Sequence, residues 1–247
     1  GRIKVDIKKG YKINIEEIKK LETKYLDDRN NLSQEILKNF LLEEFKIDEN
    51  EINGDKIVEK VFPNKEKYEI FISHSHNDKK YAQKLANFLK IKKYKVFLDS
   101  EIWGSADSVL KEIDNEYSRS NNDERYYDYT KRNFSTTHVH LLLVSALAQI
   151  ISKTPIFIFV ESDNTISFSV KESEKKIYTD SPWIYTELLF FKLFFQDVSY
   201  QIVNESYDES EKLNIRREIN LNLLKNLTAE NIEQTIKNYF SKKELYS

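Results

Sequence analysis

The chain contains no cysteine and no methionine, and only 4 glycines and 3 prolines in 247 residues. Without cysteine there is no disulfide, thiolate nucleophile, iron–sulfur cluster or cysteine-held zinc, and the expected setting is a reducing one, the cytoplasm. So few glycines and prolines exclude collagen-like repeats, low-complexity linkers and a loop-rich disulfide scaffold. An excess of one charge is also lacking: 39 Lys plus Arg stand against 41 Asp plus Glu, a net −2. The basic residues are dispersed among the acids, so no nucleic-acid surface is expected. The longest apolar runs, Leu141 to Ile151, Pro155 to Val160 and Leu188 to Phe195, fall short of the roughly 20 residues that span a bilayer. The opening GRIKVDIKKG has no apolar core of signal-peptide length, and the expectation is a soluble protein with no membrane partner. What the chain does have is 40% apolar and 13% aromatic residues, enough for a substantial core.

Three regions are expected. Residues 1–64 are rich in Lys, Glu, Asn and Ile. Ile15, Ile18, Leu21 and Tyr25, then Leu32, Ile36, Leu37, Phe40 and Leu41, recur at spacings of three and four, which predicts two amphipathic helices. Pro63 and Asn64 mark a boundary before the apolar stretch from Tyr68 to Ser73. Residues 65–200 alternate strand and helix. YEIFIS reads as a strand buried on both faces, Asn77 to Lys90 as a helix, YKVFLD as a second strand, EIWGS as a loop, and Ser105 as the cap of a further helix. The polar, tyrosine-rich stretch from Ser118 to Thr137 reads as a long loop, and Thr137 to Lys153 as a helix apolar nearly all round and therefore buried between other elements. PIFIFV is the next strand, ISFSV an edge hairpin, and Ser181 followed by Pro182 a helix start. Residues 201–247 are expected to be a helical extension packed on this domain, ending in a helix from Thr228 to about Leu245. The alternation predicts an α/β fold with a mostly parallel sheet, whose ligands bind beyond the carboxyl ends of the strands.

Three segments fall at those ends: Ser73 to Asp78, Asp99 to Ser105 and Glu161 to Asp163. A fourth is the start of the helix opened by Ser181, where Trp183 and Glu187 are four apart and share a face. An indole beside a carboxylate suits a glycosidic substrate: the ring stacks on a flat base, and the carboxylate stabilises positive charge as the bond to the sugar breaks. Spacing alone favours a core tryptophan beside a solvated glutamate. The four histidines form two H-x-H pairs, His74 with His76 and His138 with His140. On a helix the members of a pair point about 200° apart. No carboxylate or thiol stands at ligand spacing, so no metal is expected, and one histidine of each pair is expected near the pocket mouth.

FISHSHND, KVFLDSEIWG, PIFIFVES and SPWIYTEL occur in the order and spacing of the TIR (Toll/interleukin receptor) domain, which this chain resembles over roughly Tyr68 to Phe195. It looks closest to bacterial TIR-like proteins, including the TIR-like component of the Thoeris antiphage system, because Thr137 to Lys153 resembles an extra helix in that group. The resemblance implies a flavodoxin-like fold and cleavage of the nicotinamide–ribose bond of NAD, which is the substrate; no cofactor is implied. It assigns the catalytic carboxylate to Glu187 and substrate contacts to Trp183, Phe97 and Ser73; His74, Asp99 and Trp103 are the further expected substrate contacts. Asp99 and Trp103 to Gly104 match the BB loop, which in the family gates the site and contacts neighbouring TIR domains, so self-association is implied. The sequence departs from the family just after the first strand, where some NAD-cleaving members carry basic residues and this chain has Ser75 and His76; His76 is the candidate substitute, with Lys79 or Lys80 as helpers, although the lysines read more readily as ordinary surface residues. Three functions stay open: an enzyme making ADP-ribose or a cyclic ADP-ribose that signals to a separate effector in antiphage defence, a non-catalytic TIR interaction module, and a nucleotide sensor without turnover.

Overall fold

A computed structural model describes residues 8–23, 42–48, 51–61, 67–120, 123, 125–168, 176–195 and 216–245. In chain order the elements are β1 (Lys9–Asn14), α1 (Ile15–Lys20), β2 (Lys46–Asp48), β3 (Glu51–Ile52), α2 (Gly54–Val61), β4 (Ile70–Ser73), α3 (Lys79–Ile91), β5 (Val96–Leu98) and α4 (Ser100–Tyr117). There follow α5 (Tyr129–Lys153), β6 (Ile156–Glu161), β7 (Ser167–Phe168), β8 (Ile177–Thr179), α6 (Pro182–Phe195), β9 (Arg217–Ile219), β10 (Lys225–Asn226) and α7 (Ile232–Leu245). They form two compact units, one of Gly1–Tyr25, Tyr68–Phe97 and Thr154–Ser247, the other of Leu26–Lys67 and Leu98–Lys153.

The first unit is built on a five-stranded parallel sheet in the order β10-β1-β6-β4-β5, the mixed α/β architecture expected from the alternation and consistent with the flavodoxin-like fold that the resemblance implies. Its central strand, IFIFVE, is apolar on both faces, as a parallel strand covered on both sides requires. Register resolves the sheet into rows of side chains. Phe71 pairs with Phe157 and Phe157 with Gly10, so these three share one face, and Ser73, Phe159 and Lys12 form the next row on that face toward the carboxyl ends. The rings of Phe97, Phe71, Phe157 and Phe191 follow one another at centroid separations of 5.4, 5.5 and 4.9 Å. The chain of rings leaves the sheet at Gly10, where a Cβ would overlap the Phe191 ring and approach Leu224 to 2.8 Å. Ile70, Ile72, Ile156, Ile158 and Ile13 alternate to the other face and are fully buried.

Strand β1 lies within a region expected to be helical. Its KGYKIN alternates Tyr11 and Ile13 with Gly10 and Lys12, a period of two too short to stand out beside the helical pattern that starts at Ile15. Asn14 ends the strand and caps α1, its Oδ1 accepting from Glu17 N at 2.9 Å. The second N-terminal helix expected around Leu32 to Leu41 lies outside the described residues, as does the boundary at Pro63 and Asn64. Helices α1, α3 and α7 hold one another: Lys84 Nζ donates to the Lys19 carbonyl at 2.7 Å, Lys92 pairs with Glu233 at 2.7 Å, and Tyr94 stacks on Phe240 at 5.3 Å. Of ISFSV, expected as an edge hairpin, Ser167–Phe168 forms β7, which pairs with β8 in a separate three-stranded sheet with β8 central between β7 and β9; Ser169 and Val170 lie outside the described residues. The C-terminal region contributes strands β9 and β10 as well as helix α7.

The second unit is helical with a short antiparallel hairpin, β2 with β3. Three expectations are corrected here. EIWGS is helix rather than loop, because α4 begins at Ser100 with Asp99 at its cap position; Gly104 lowers helix propensity without breaking it. Ser118 to Thr137 is mostly not loop: Arg119 and Tyr127 form a bridge, and α5 starts at Tyr129, capped by Asp128 Oδ1 accepting from Lys131 N at 2.9 Å. Its first turns expose Lys131, Arg132 and Asn133, so apolar periodicity is visible only further along. Nor is α5 buried all round: Val139, Leu143, Leu147, Ile150 and Ile151 form its inner stripe while Phe134 and Leu141 are exposed. By length and composition α5 alone, among the described residues, is apolar enough to cross a membrane, and 39% of its most apolar stretch is buried inside the protein. The buried Asp114 carboxylate ties α4 to α5, accepting from Ser118 Oγ at 2.9 Å, Ser135 Oγ at 2.5 Å and Arg132 Nε at 3.2 Å.

Overpacking at the step in the aromatic row fixes a first expected outcome. Gly10→Ala should destabilise the protein by about 1–3 kcal/mol, read as a lower urea midpoint, and Phe191→Leu added to it should recover part of the loss. Equal stability of Gly10→Ala and wild type would show that α6 is not seated as described.

Candidate active site

The site is set by where α6 lies on the sheet. Ser181 Oγ accepts from Ile184 N at 3.3 Å, Pro182 takes the first helical position, and the helix starts where the sequence predicts. Phe191 sits on Gly10 and Phe157, and Lys8 Nζ stands 5.1 Å from the Phe195 ring, so the end of α6 lies at the amino ends of β1 and β6. The helix therefore runs against the strands, and its earlier turns lie toward their carboxyl ends. Four helical residues rise about 6 Å, and two strand residues advance about 6.6 Å. Glu187, one turn before Phe191, consequently stands at the level of the row Ser73, Phe159 and Lys12. Trp183, a further turn back, stands at the level of the next row, Asn14 and Glu161.

Glu187 is fully buried, with 0% exposure, and Trp183 is half-buried. A carboxylate out of water acts through a lower effective dielectric, where its field on a nearby cation is several times stronger than in bulk. Ser73 ends β4 fully buried, and its Oγ has no hydrogen-bond partner among the described residues. A buried hydroxyl left so is suited to a ligand that supplies the partner. His74 follows it and is buried as well. Phe97 shares the face of Phe71 and α6 but is packed into the core, its ring 4.9 Å from Tyr68 and stacked on Phe71. Ser73, His74, Phe97, Trp183 and Glu187 thus belong to the first unit. Asp99 and Trp103 belong to the second, Asp99 buried at the cap position of α4 and Trp103 within that helix; the side chain of Trp103 lies outside the described residues. The BB-loop segment expected as a gate is helical from Ser100.

Of the residues expected to replace the missing basic pair, His76 is exposed on a short 3-10 turn (His76–Asp78), and Lys80 is exposed with its Nζ 4.7 Å from the Tyr81 ring. His138 and His140 are exposed on α5, His138 against Phe134 at 4.2 Å. No group of three or more metal-ligating side chains occurs among the described residues. Lys12 is not singled out by the sequence. It lies on the Glu187 face, its Nζ 2.7 Å from Glu161 Oε2, and only the pairing of β1 with β6 brings it there.

The loops beyond β4 and β6 are joined beneath this end of the sheet, at the point where strand order reverses. The buried Asp78 accepts from Ser162 Oγ at 2.5 Å and from Asn164 Nδ2 at 2.8 Å, while Ser162 N donates to Thr165 Oγ1 at 2.8 Å. Removing the shared acceptor breaks two hydrogen bonds to a buried carboxylate, so Asp78→Ala should cost about 1–3 kcal/mol and speed amide hydrogen exchange at residues 162–165 selectively. Unchanged protection there would mean that the loops hold themselves.

The family model for the TIR domain matches residues 70–123. That stretch carries Ser73, His74, Phe97, Asp99 and Trp103 and ends before Trp183 and Glu187. No curated protein and no solved structure matches the chain. The match supports a TIR domain over β4 to α4, on a sheet of the flavodoxin-like kind.

Proposed function

We propose that this chain is a TIR-domain enzyme that cleaves the nicotinamide–ribose bond of NAD, with Glu187 as the catalytic carboxylate. The observation that carries this reading is the fully buried Glu187 on α6, level with Ser73 on one face at the ligand-binding end of the sheet. As the C1′–N bond breaks, its electron pair goes to the nicotinamide nitrogen, the pyridinium charge is lost and positive charge develops on the ribose ring. A fixed carboxylate in a water-poor setting favours that migration. Addition of water at C1′ and loss of its proton give ADP-ribose, whereas attack by an internal ribose hydroxyl or adenine nitrogen gives a cyclic product. Ser73, His74 and Trp183 frame the nicotinamide ribose, and Phe97 backs them from the core row. A signalling product acting on a separate effector, in antiphage defence, follows from the bacterial group this chain resembles. Exposed Phe134 and Leu141 on α5, with His138 between them, favour a second and compatible role in association.

The test is nicotinamide release from NAD by the concentrated full chain, wild type beside Glu187→Gln. The isosteric amide keeps the packing, so the expected result is unchanged melting with release lowered about 10²-fold or more. Equal release from both proteins removes Glu187 from the chemistry.

A further inference from the structure

We infer that Lys12 and Glu161 form the diphosphate-binding element of this site: Lys12 is the cation that receives the two phosphates of the dinucleotide, and Glu161 is the counter-ion it leaves to do so. This inference rests on the NAD-cleaving reading and names the substrate contact which that reading leaves unassigned. A dinucleotide carries two negative phosphates close to the ribose whose bond is cut, and burying them without a cation is costly. After β4 the chain offers His74, Ser75, His76, Asn77 and Asp78, then Lys79 and Lys80 at the head of α3; Asp78 is already held by Ser162 and Asn164, and Lys80 is exposed with its Nζ over the Tyr81 ring. Asn14, at the same end of the sheet, is occupied in capping α1. Lys12 differs from all of these. It shares a row with Ser73 and a level with Glu187, and its ammonium reaches the carboxyl end of β6, where Glu161 meets it at 2.7 Å.

The pair is placed to exchange partners. The side chains of Lys12 and Glu161 are 22% and 27% exposed, so the bond is shielded on one side and open to a ligand on the other. A half-exposed pair of this kind contributes little to stability. A diphosphate offers Lys12 more negative charge and more acceptor oxygens than one carboxylate does. Glu161, released, turns to water at the strand end. The element comes from an N-terminal strand inserted beside β6, so its role is visible only from the register of β1.

Calorimetric titration of ADP-ribose into the full chain tests this, because the product carries the diphosphate and requires no turnover. Lys12→Gln should weaken binding about ten- to a hundredfold, Lys12→Arg should retain it, and Glu161→Gln should bind as tightly as wild type or tighter, since it removes the competing anion. A pair that merely staples β1 to β6 would make both Lys12→Gln and Glu161→Gln weaker, and that result overturns the inference, as does unchanged binding by Lys12→Gln. If Lys12→Gln does not fold, Glu161→Gln decides alone: weaker binding overturns it. Wild type that binds no ADP-ribose overturns it too. Binding that follows this pattern while Glu187→Gln still releases nicotinamide would keep the diphosphate site and reject the catalytic assignment.

Discussion

The seating of Phe191 on Gly10 is the constraint on which the arrangement of the first unit depends. A parallel sheet covered on both faces has to bring its helices close, and the depth of each helix is set by what stands beneath it. Under α6 the row of rings from Phe97 through Phe71 and Phe157 would continue into β1 as a further side chain, but the residue there has none. Phe191 fills the gap and completes the row from above. Ring packing of this kind is directional, with preferred centroid separations, so it fixes the helix in translation as well as in depth. The level of Glu187 follows from helical rise alone once Phe191 is fixed. A carboxylate placed this way is held by core packing, which is the rigid support the proposed catalytic role would need. It also makes β1 part of the site's foundation, although it lies far from the other strands in sequence.

Legibility followed the length of the local signal. The strand PIFIFV and the helix opened by Ser181 and Pro182 were readable because an unbroken apolar run and a cap with proline at the first helical position are each sufficient alone. Strand β1 was not, because six residues with two buried side chains carry little pattern, and what makes them a strand is pairing with residues some 150 positions away. The helical start of α4 was hidden by Gly104, and that of α5 by solvent-facing Lys131, Arg132 and Asn133. Trp183 and Glu187 were legible as a pair four apart on one face, but the spacing favoured a core tryptophan beside a solvated glutamate, whereas Glu187 is fully buried and Trp183 half-buried. Lys12 was not singled out, since its meaning lies in a register between strands and no local spacing encodes it.

The second unit shows the complementary device, polar rather than aromatic. Asp114 is a buried carboxylate that accepts from two hydroxyls and one guanidinium, drawn from both α4 and α5. Nearby, Asn115 Oδ1 accepts from Arg119 Nη2 at 2.9 Å and from the Tyr127 hydroxyl at 2.6 Å, and the Arg119 guanidinium lies 4.7 Å from the Tyr127 ring. Every one of these groups is short-range in sequence, between Asp114 and Ser135, on the facing ends of α4 and α5 and the segment that joins them. A buried charge is costly unless its hydrogen bonds are complete, so this cluster tolerates few alternative pairings of α4 with α5. Apolar stripes alone slide along one another more readily.

In the proposed reaction the two charged positions on the α6 face would do different work, because the charge they meet behaves differently. The diphosphate keeps its charge from substrate to product, so a cation bound to it stabilises ground and transition states alike and acts on affinity. The positive charge near Glu187 moves: it sits on the nicotinamide ring in the substrate and on the ribose in the transition state. A carboxylate fixed beside the ribose therefore gains interaction energy as the bond breaks, and its contribution appears in the rate of the chemical step. That gain needs the carboxylate to stay put while the charge shifts toward it. Glu187, one turn from a phenylalanine locked over Gly10 and wholly buried, is held in that way, whereas Lys12, half-exposed and already sharing its charge with Glu161, is free to exchange one anion for another.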